Sequence, residues 1–276
     1  MTHKSRVANR PPGSRAGHDA VRKFAYGAAI VEGPPDTKEE RDREMTNLTD
    51  ARILIAGGTG NVGRHLVGAV LTAGGTAIVP SRAVAKLEAL ERAHAVHAGR
   101  LVSLRGDITN EQASADLLAR AGPIHGAVAA LGGFVAAPSI LKAPIADLRR
   151  VLDDYVAAHL AVARAVVPVL EGGGGGYVMI NGPLAFEVFP GAGLVCVATA
   201  AQAMLARVLM QELAESRVRI NEVVIYSSFG WGQDDNNVIP GADIGRYVAY
   251  LLSRDAAHVR GQTAHLKSRE ALGVLP

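Results

Sequence analysis

A chain of 276 residues is long enough for one α/β domain with a substantial core and an additional tail. Hydrophobic residues make up 49%, no run reaches the roughly 20 apolar residues of a membrane span, and the formal net charge of +3 comes without a dense basic stripe interleaved with aromatics, so neither membrane insertion nor nucleic-acid binding is indicated. The single cysteine, Cys196, excludes an internal disulfide, no Cys/His cluster has zinc-like spacing, and the chain reads as a cytoplasmic protein without a metal.

Residues 1–49 differ from the rest: 10–18 and 36–44 are highly polar with no sustained apolar period, which predicts a disordered N-terminal extension. Arginines before Asp19 suit an organelle transit peptide, but Asp19, Glu32 and the acidic cluster at 39–44 oppose it. Met45 stands where a natural start would fall, with an upstream extension before it. Residues 50–276 carry the folded pattern. A strand ending at Ala56 runs into glycines at 57, 60 and 63 and then into a helical pattern. Strands follow at 76–80, 100–104, 126–131, 177–180, 218–225 and 263–267, with helices at 83–94, 111–121, 145–170, 197–215 and 243–253. Five glycines, 172–176, read as a flexible loop, and 227–237 as a lid with Phe229 and Trp231 walling a pocket or docking the loop. Strands alternating with helices predict a Rossmann-type doubly wound parallel sheet in one domain.

The turn after the first strand carries the chemistry. Gly57 permits a tight turn, Gly60 lets the backbone approach a pyrophosphate, and Gly63 lets the helix pack against the strand. Thr59, Asn61 and Val62 complete a loop whose amides sit at a helix N-terminus, where the macrodipole favours phosphate. The second strand ends in Pro80, Ser81 and Arg82, and no Asp or Glu occurs between Gly63 and Glu88. A carboxylate there would select a free ribose hydroxyl; Arg82 and Ser81 instead suit a 2′-phosphate. NADP(H) is favoured over NAD(H). The alternative for Arg82 is a solvated residue at a helix start.

Taken together, residues 51–267 resemble the short-chain dehydrogenase/reductase family. The turn from Gly57 to Gly63 looks like the form used by its extended and atypical members, and Gly261-Gln262 is similar to its C-terminal signature. The resemblance implies that Asp107 and Ile108 contact adenine, and that Ala130, Leu131, Gly132 and Thr199 lie along the cofactor. It also implies a four-helix interface between subunits, built from the alanine-rich helices at 145–170 and 197–215, and hence a homodimer or homotetramer. The family's catalytic residues are absent. Its tyrosine and lysine positions fall on Val195 and Thr199, its serine on Gly182, and its helix asparagine on Tyr155.

Valine has no titratable proton and threonine no cation, so the proton-transfer route must differ or be missing; a positioned acid or base contributes about 10²–10⁴-fold. Three residues are candidates for the vacated role. Tyr155 faces the nicotinamide end or a subunit contact, Asn181 holds a substrate oxygen or caps its loop, and Tyr226 begins the substrate loop. His159 shares a helix face with Tyr155, Glu187 and Asp154 are acids without a fixed place, and Cys196 reads as a small hydrophobe. The expected function is an NADP(H)-dependent oxidoreductase with a non-standard active site acting on a small organic substrate. The alternatives are a dinucleotide-binding regulator without turnover, or a non-redox isomerase, dehydratase or cyclase.

Overall fold

The computed structural model describes residues 46–136, 139–226, 239–268 and 272. Strands β1 (Arg52–Ala56), β2 (Thr76–Ser81), β3 (Leu101–Arg105), β4 (Gly126–Ala129), β5 (Gly175–Asn181), β6 (Val218–Ile225) and β7 (Thr263–Leu266) form one sheet of order β3-β2-β1-β4-β5-β6-β7. Every pairing is parallel. The intervening helices are α1 (Gly63–Thr72), α2 (Val84–Ala93), α3 (Glu111–Ala121), α4 (Ile145–Leu152), α5 (Ala158–Glu171), α6 (Gly193–Glu212) and α7 (Gly241–Leu252). This is the doubly wound fold that the alternating pattern predicts.

The sheet is buried on both faces, which is why its strands are nearly continuous apolar runs. From β1, Ile53 and Ile55 point to a core shared with Leu66 and Val70 of α1 and Ile244 and Val248 of α7. Leu54 and Ala56 point the other way, to Val162 and Val166 of α5 and Ala206 of α6. Each large aliphatic side chain taken out of water contributes about 1.5–3 kcal/mol. Strand β1 pairs with β2 on one side and β4 on the other, so the winding reverses there and opens a crevice at the carboxyl ends of the strands.

Several boundaries differ from the sequence reading. Leu48, inside the stretch expected to be extension, is 2% exposed and donates its amide to Ala73 O at 2.8 Å, so the packed chain begins before residue 50. The extension's residues 1–45 and the expected lid at 227–237 lie outside the described residues. Gly175 and Gly176 belong to β5 and not to a loop: a Cβ on Gly176 would stand 2.9 Å from Leu251 O, so the strand needs glycine where α7's end presses on it. Helix α6 starts four residues earlier than expected and ends three earlier. It is also long and apolar enough to cross a membrane, contrary to the reading that no run approaches that length. Here it lies against the sheet with Leu194, Val195, Ala198, Ala203 and Ala206 buried, as a core helix does. Strand β4 ends at Ala129, leaving Ala130 and Leu131 in the connection. The expected long helix is interrupted by one π-helical turn, Asp153–Ala157, between α4 and α5.

Candidate functional site

The glycine turn is shaped by backbone meeting backbone. Gly57 has φ +82, and a Cβ there would lie 2.0 Å from Ala130 O; on Gly63 a Cβ would lie 2.1 Å from Gly57 O. Amide bonds from Gly58 to Ile55 O (3.1 Å) and from Gly60 to Gly57 O (2.9 Å) close the turn. Gly60 and Asn61 are exposed at its rim. Helix α1 follows at once, with Val62 at its N-cap, no side-chain cap and no acid in its first turn. The Arg64 and His65 amides bond to Gly60 O (3.1 Å) and Val62 O (2.9 Å), and the helix's positive dipole end faces the turn, an environment that suits a pyrophosphate.

A cleft of about 550 Å³ runs from this turn along the carboxyl edge, lined by Gly57, Thr59, Ser81, Arg82, Asp107 and Tyr155 among others. Ser81 ends β2 and its Oγ accepts from the Ala83 amide at 3.2 Å. The Arg82 guanidinium is largely exposed and lies 3.4 Å from an Asp107 carboxylate oxygen, an ion pair worth little in water. Asp107 is fixed by the Thr109 amide (3.0 Å) and hydroxyl (2.6 Å), and Ile108 sinks into the core at 4% exposure. Arg82 is therefore free to exchange one anionic partner for another at the cleft's rim.

On the far side of the turn the Ala130 amide donates to Ala56 O at 2.9 Å, and Leu131 and Gly132 continue the cleft wall. Tyr155, carried by the π-helical turn, swings into this wall and not onto an outer face. A Cβ on Gly132 would meet its ring at 2.5 Å; its hydroxyl donates to Gly133 O and accepts from the Gly133 amide at 3.1 Å. Burial raises its pKa, the Asp154 charge adds to that, and the bond to Gly133 opposes it. One turn on, His159 is fully buried. Its Nδ1 lies 2.6 Å from Tyr155 O and its Nε2 3.2 Å from Gln202 Nε2, which also donates to Ile180 O at 2.8 Å. Burial lowers the imidazole pKa to about 4, leaving it neutral and structural near neutral pH.

Val195 and Thr199 stand where the sequence reading expected a tyrosine and a lysine. Val195 is 1% exposed and packs with Val151, Leu194 and Ala198 in an apolar cluster. Thr199 is 2% exposed and its hydroxyl turns back on its own helix to Val195 O at 2.7 Å; neither it nor Tyr226 lines the cleft itself. Asn181 spends its amide on Thr199 O (3.2 Å) and Glu222 Oε1 (2.9 Å), while its carbonyl accepts from the Gly182 amide at 2.8 Å, the contact of a loop cap. Glu222, which the sequence reading passed over, is 1% exposed on β6 and takes a second bond from the Thr263 hydroxyl at 3.1 Å. Burial raises its pKa. Its signal was a lone acid at an inward position of an otherwise apolar strand.

A second polar group assembles where β6 and β7 end. The half-buried Tyr226 hydroxyl lies 3.1 Å from His265 Nδ1, and Lys267 Nζ sits 4.9 Å above the Tyr226 ring. Phe186 packs edge-on to His265 at 4.8 Å between centroids. Burial and the Glu187 charge raise the phenol pKa; burial and Lys267 lower that of the imidazole. Cys196 lies beside Glu187, its Sγ 3.8 Å from that carbonyl. The sequence did not single out His265 or Lys267, because only register brings them to Tyr226.

A cavity of about 590 Å³ opens at the opposite edge, near Asp50, His125, Gly174 and Arg219. Its buried guanidinium is spent on the carbonyls of Leu251, Ser253 and Ala256, and doubly wound folds bind ligands at the carboxyl ends. The cleft at the glycine turn is the better site. Among the described residues no three His, Cys, Asp or Glu side chains converge to hold a metal ion.

The family model for short chain dehydrogenases matches residues 51–227. Dehydrogenase/reductase SDR family member 4 of Bos taurus is 29% identical over 237 residues, covering 76% of this chain and 83% of the relative. The rabbit protein of the same name, from Oryctolagus cuniculus, is 27% identical over 78% of this chain and 92% of its own. A short-chain dehydrogenase/reductase from Mycobacterium ulcerans superposes with TM-score 0.71 at 23% identity, covering 82% of this chain and 91% of that one. A gluconate 5-dehydrogenase from Burkholderia cenocepacia, solved with NADP and tartrate, gives TM-score 0.72 at 18% identity over 80% and 95% of the two chains.

Proposed function

This chain belongs to the short-chain dehydrogenase/reductase family, and from that premise we propose that it is an NADP(H)-dependent oxidoreductase of small organic substrates with a proton donor other than the family's tyrosine. The observation that carries the reading is the glycine turn, closed so tightly on Ala130 O and Gly57 O that no side chain fits, with a helix N-terminus that has no side-chain cap behind it. Gly57, Thr59, Gly60, Asn61, Val62 and Gly63 hold the pyrophosphate. Arg82 and Ser81 take the 2′-phosphate, Asp107 and Ile108 flank the adenine, and Ala130 to Gly132 follow the chain of the cofactor toward β4. The bound nicotinamide supplies a hydride; the protein orients the substrate and moves the proton.

Two further expectations accompany this reading. The lone cysteine supports a cytoplasmic, reducing setting. Exposed apolar residues on α6 (Val197, Met204, Val208) and α5 (Leu160, Val169) support a homodimer or homotetramer joined through these helices.

Titration with NADPH and NADH, together with a screen for loss of reduced-nicotinamide absorbance over carbonyls, imines and enones, tests the proposal. Saturable binding with NADPH preferred, and oxidation by at least one activated acceptor, is the expected result. Binding without turnover would make the chain a dinucleotide sensor, the outcome that the apolar cluster at Val195 favours. Substrate conversion with unchanged cofactor would make it a non-redox enzyme.

A further inference from the structure

Resting on the reading above, the geometry points to Tyr226 as the group that exchanges a proton with the substrate, with His265 as its proton source and Lys267 beside it. Position comes first. The adenosine half of the cleft lies over β2 and β3, and the winding reverses at β1, so a dinucleotide held at the glycine turn must carry its nicotinamide across the carboxyl ends of β4, β5 and β6. Tyr226 is the residue that leaves β6 at that edge, two positions beyond Val224, the register partner of Asn181 at the end of β5.

Among the described residues, three polar side chains of that edge are already committed. Tyr155 bonds to both main-chain groups of Gly133, Asn181 uses both ends of its amide, and Thr199 bonds within its own helix. His159 is buried behind them. Tyr226 differs: its hydroxyl partner is itself a proton carrier, half-buried, and next to the exposed Lys267. Phe186, from the connection between β5 and α6, fixes the imidazole from its other side.

The step balances as follows for a carbonyl acceptor. With a reduced nicotinamide bound, the carbonyl carbon would receive its hydride in a new C–H bond and the C=O π pair would pass to oxygen. That oxygen takes the Tyr226 proton, Tyr226 Oη takes the Nδ1 proton of His265, and Nε2 of the same ring takes one from water. The groups facing the phenol are Glu187 from the β5–α6 connection and His265 and Lys267 from β7 and its end. A phenol is protonated at neutral pH, the form a donor needs; burial and Glu187 oppose its ionisation, and the cation over its ring acts the other way by stabilising the phenolate once the proton has gone.

The test uses the full chain, Tyr226→Phe, His265→Gln and Lys267→Met, with diacetyl and isatin as activated carbonyl probes. Tyr226→Phe should lower kcat about 100-fold or more while NADPH affinity stays within about twofold, and His265→Gln should shift the pH profile of kcat. A readout independent of turnover is the ultraviolet difference titration of wild type against Tyr226→Phe. Its phenol midpoint should fall by about one unit or more with NADP⁺ bound, because the proposal would set the cationic ring beside the hydroxyl, and should not fall with NADPH. Full turnover by Tyr226→Phe, or a midpoint indifferent to NADP⁺, overturns the assignment while leaving the oxidoreductase reading intact. Failure of the wild type to bind either form of the cofactor overturns that reading, and this inference with it.

Discussion

Gly57→Ala isolates what the glycine turn contributes. The residue sits at φ +82, where an L side chain costs about 1–2 kcal/mol. The added Cβ would also stand 2.0 Å from Ala130 O and 2.8 Å from its carbonyl carbon. Both belong to the backbone leaving β4, so neither can rotate away, and overpacking of this kind costs typically about 1–3 kcal/mol. Together the two terms predict a loss of roughly 3 kcal/mol. For a domain of this size that lowers Tm by about 6–12 °C. Gly60→Ala is the matched control: its Cβ meets only Gly57 O, at 3.1 Å, and the site is exposed, so folding should be little affected. The two variants should still share one defect, weakened NADPH binding, because Gly57→Ala displaces the turn from Ala130 and Gly60→Ala puts a methyl group where the pyrophosphate approaches. Calorimetry gives the stabilities and cofactor titration the affinities. A Gly57→Ala protein with wild-type Tm would show that the turn is not held as described. A Gly60→Ala protein with undiminished NADPH affinity would remove the pyrophosphate from this loop.

Arg82→Asp should reverse or abolish the preference for NADPH over NADH, read as the ratio of the two dissociation constants; an unaltered ratio would return Arg82 to a solvated helix start. His159 should make folding sensitive to acid. Its pKa is about 4 in the folded chain against about 6.5 unfolded, so its stabilisation is complete above pH 6.5 and is lost as pH falls toward 4, by roughly 3 kcal/mol at most. Denaturant melts of the wild type and His159→Gln across that window should diverge in slope, and parallel curves would refute the buried neutral imidazole. Met204→Glu, at a half-exposed position on α6, should dissociate the proposed homodimer or homotetramer without lowering monomer stability; light scattering that finds a monomer already in the wild type would dispose of the interface.

The fold was legible because period and punctuation agree along most of the chain. Runs such as Ile53 to Ala56 and Val218 to Ile225 are apolar enough for a sheet covered on both faces, and each is followed by a turn and an amphipathic helix. The glycine turn was legible for the same reason: its spacing is imposed by local backbone geometry. Boundaries failed where tertiary contact overrides local signal. Gly175 and Gly176 look like a loop until α7 is seen pressing on β5, and Leu48 looks like tail until it is seen packed against Ala73. At the candidate site, the glycine turn and the adjoining end of β2 were legible and the rest was not. Val195 and Thr199 stand where the sequence reading expected a phenol and a lysine, but nothing local says that Val195 joins an apolar cluster with Val151, Leu194 and Ala198. The Tyr226, His265 and Lys267 group joins residues about forty positions apart through β6–β7 register, and Glu222 meets Thr263 by the same route. Sequence spacing does not carry that information.

The central claim is that a cofactor-competent family member without the usual tyrosine still transfers hydride. NADPH carrying deuterium at the nicotinamide carbon that donates hydride, incubated with the protein and an activated carbonyl, tests it most directly. The account predicts product that is one deuterium heavier by mass spectrometry, in step with loss of the reduced-nicotinamide absorbance. Saturable NADPH binding with no deuterium in any product would contradict it.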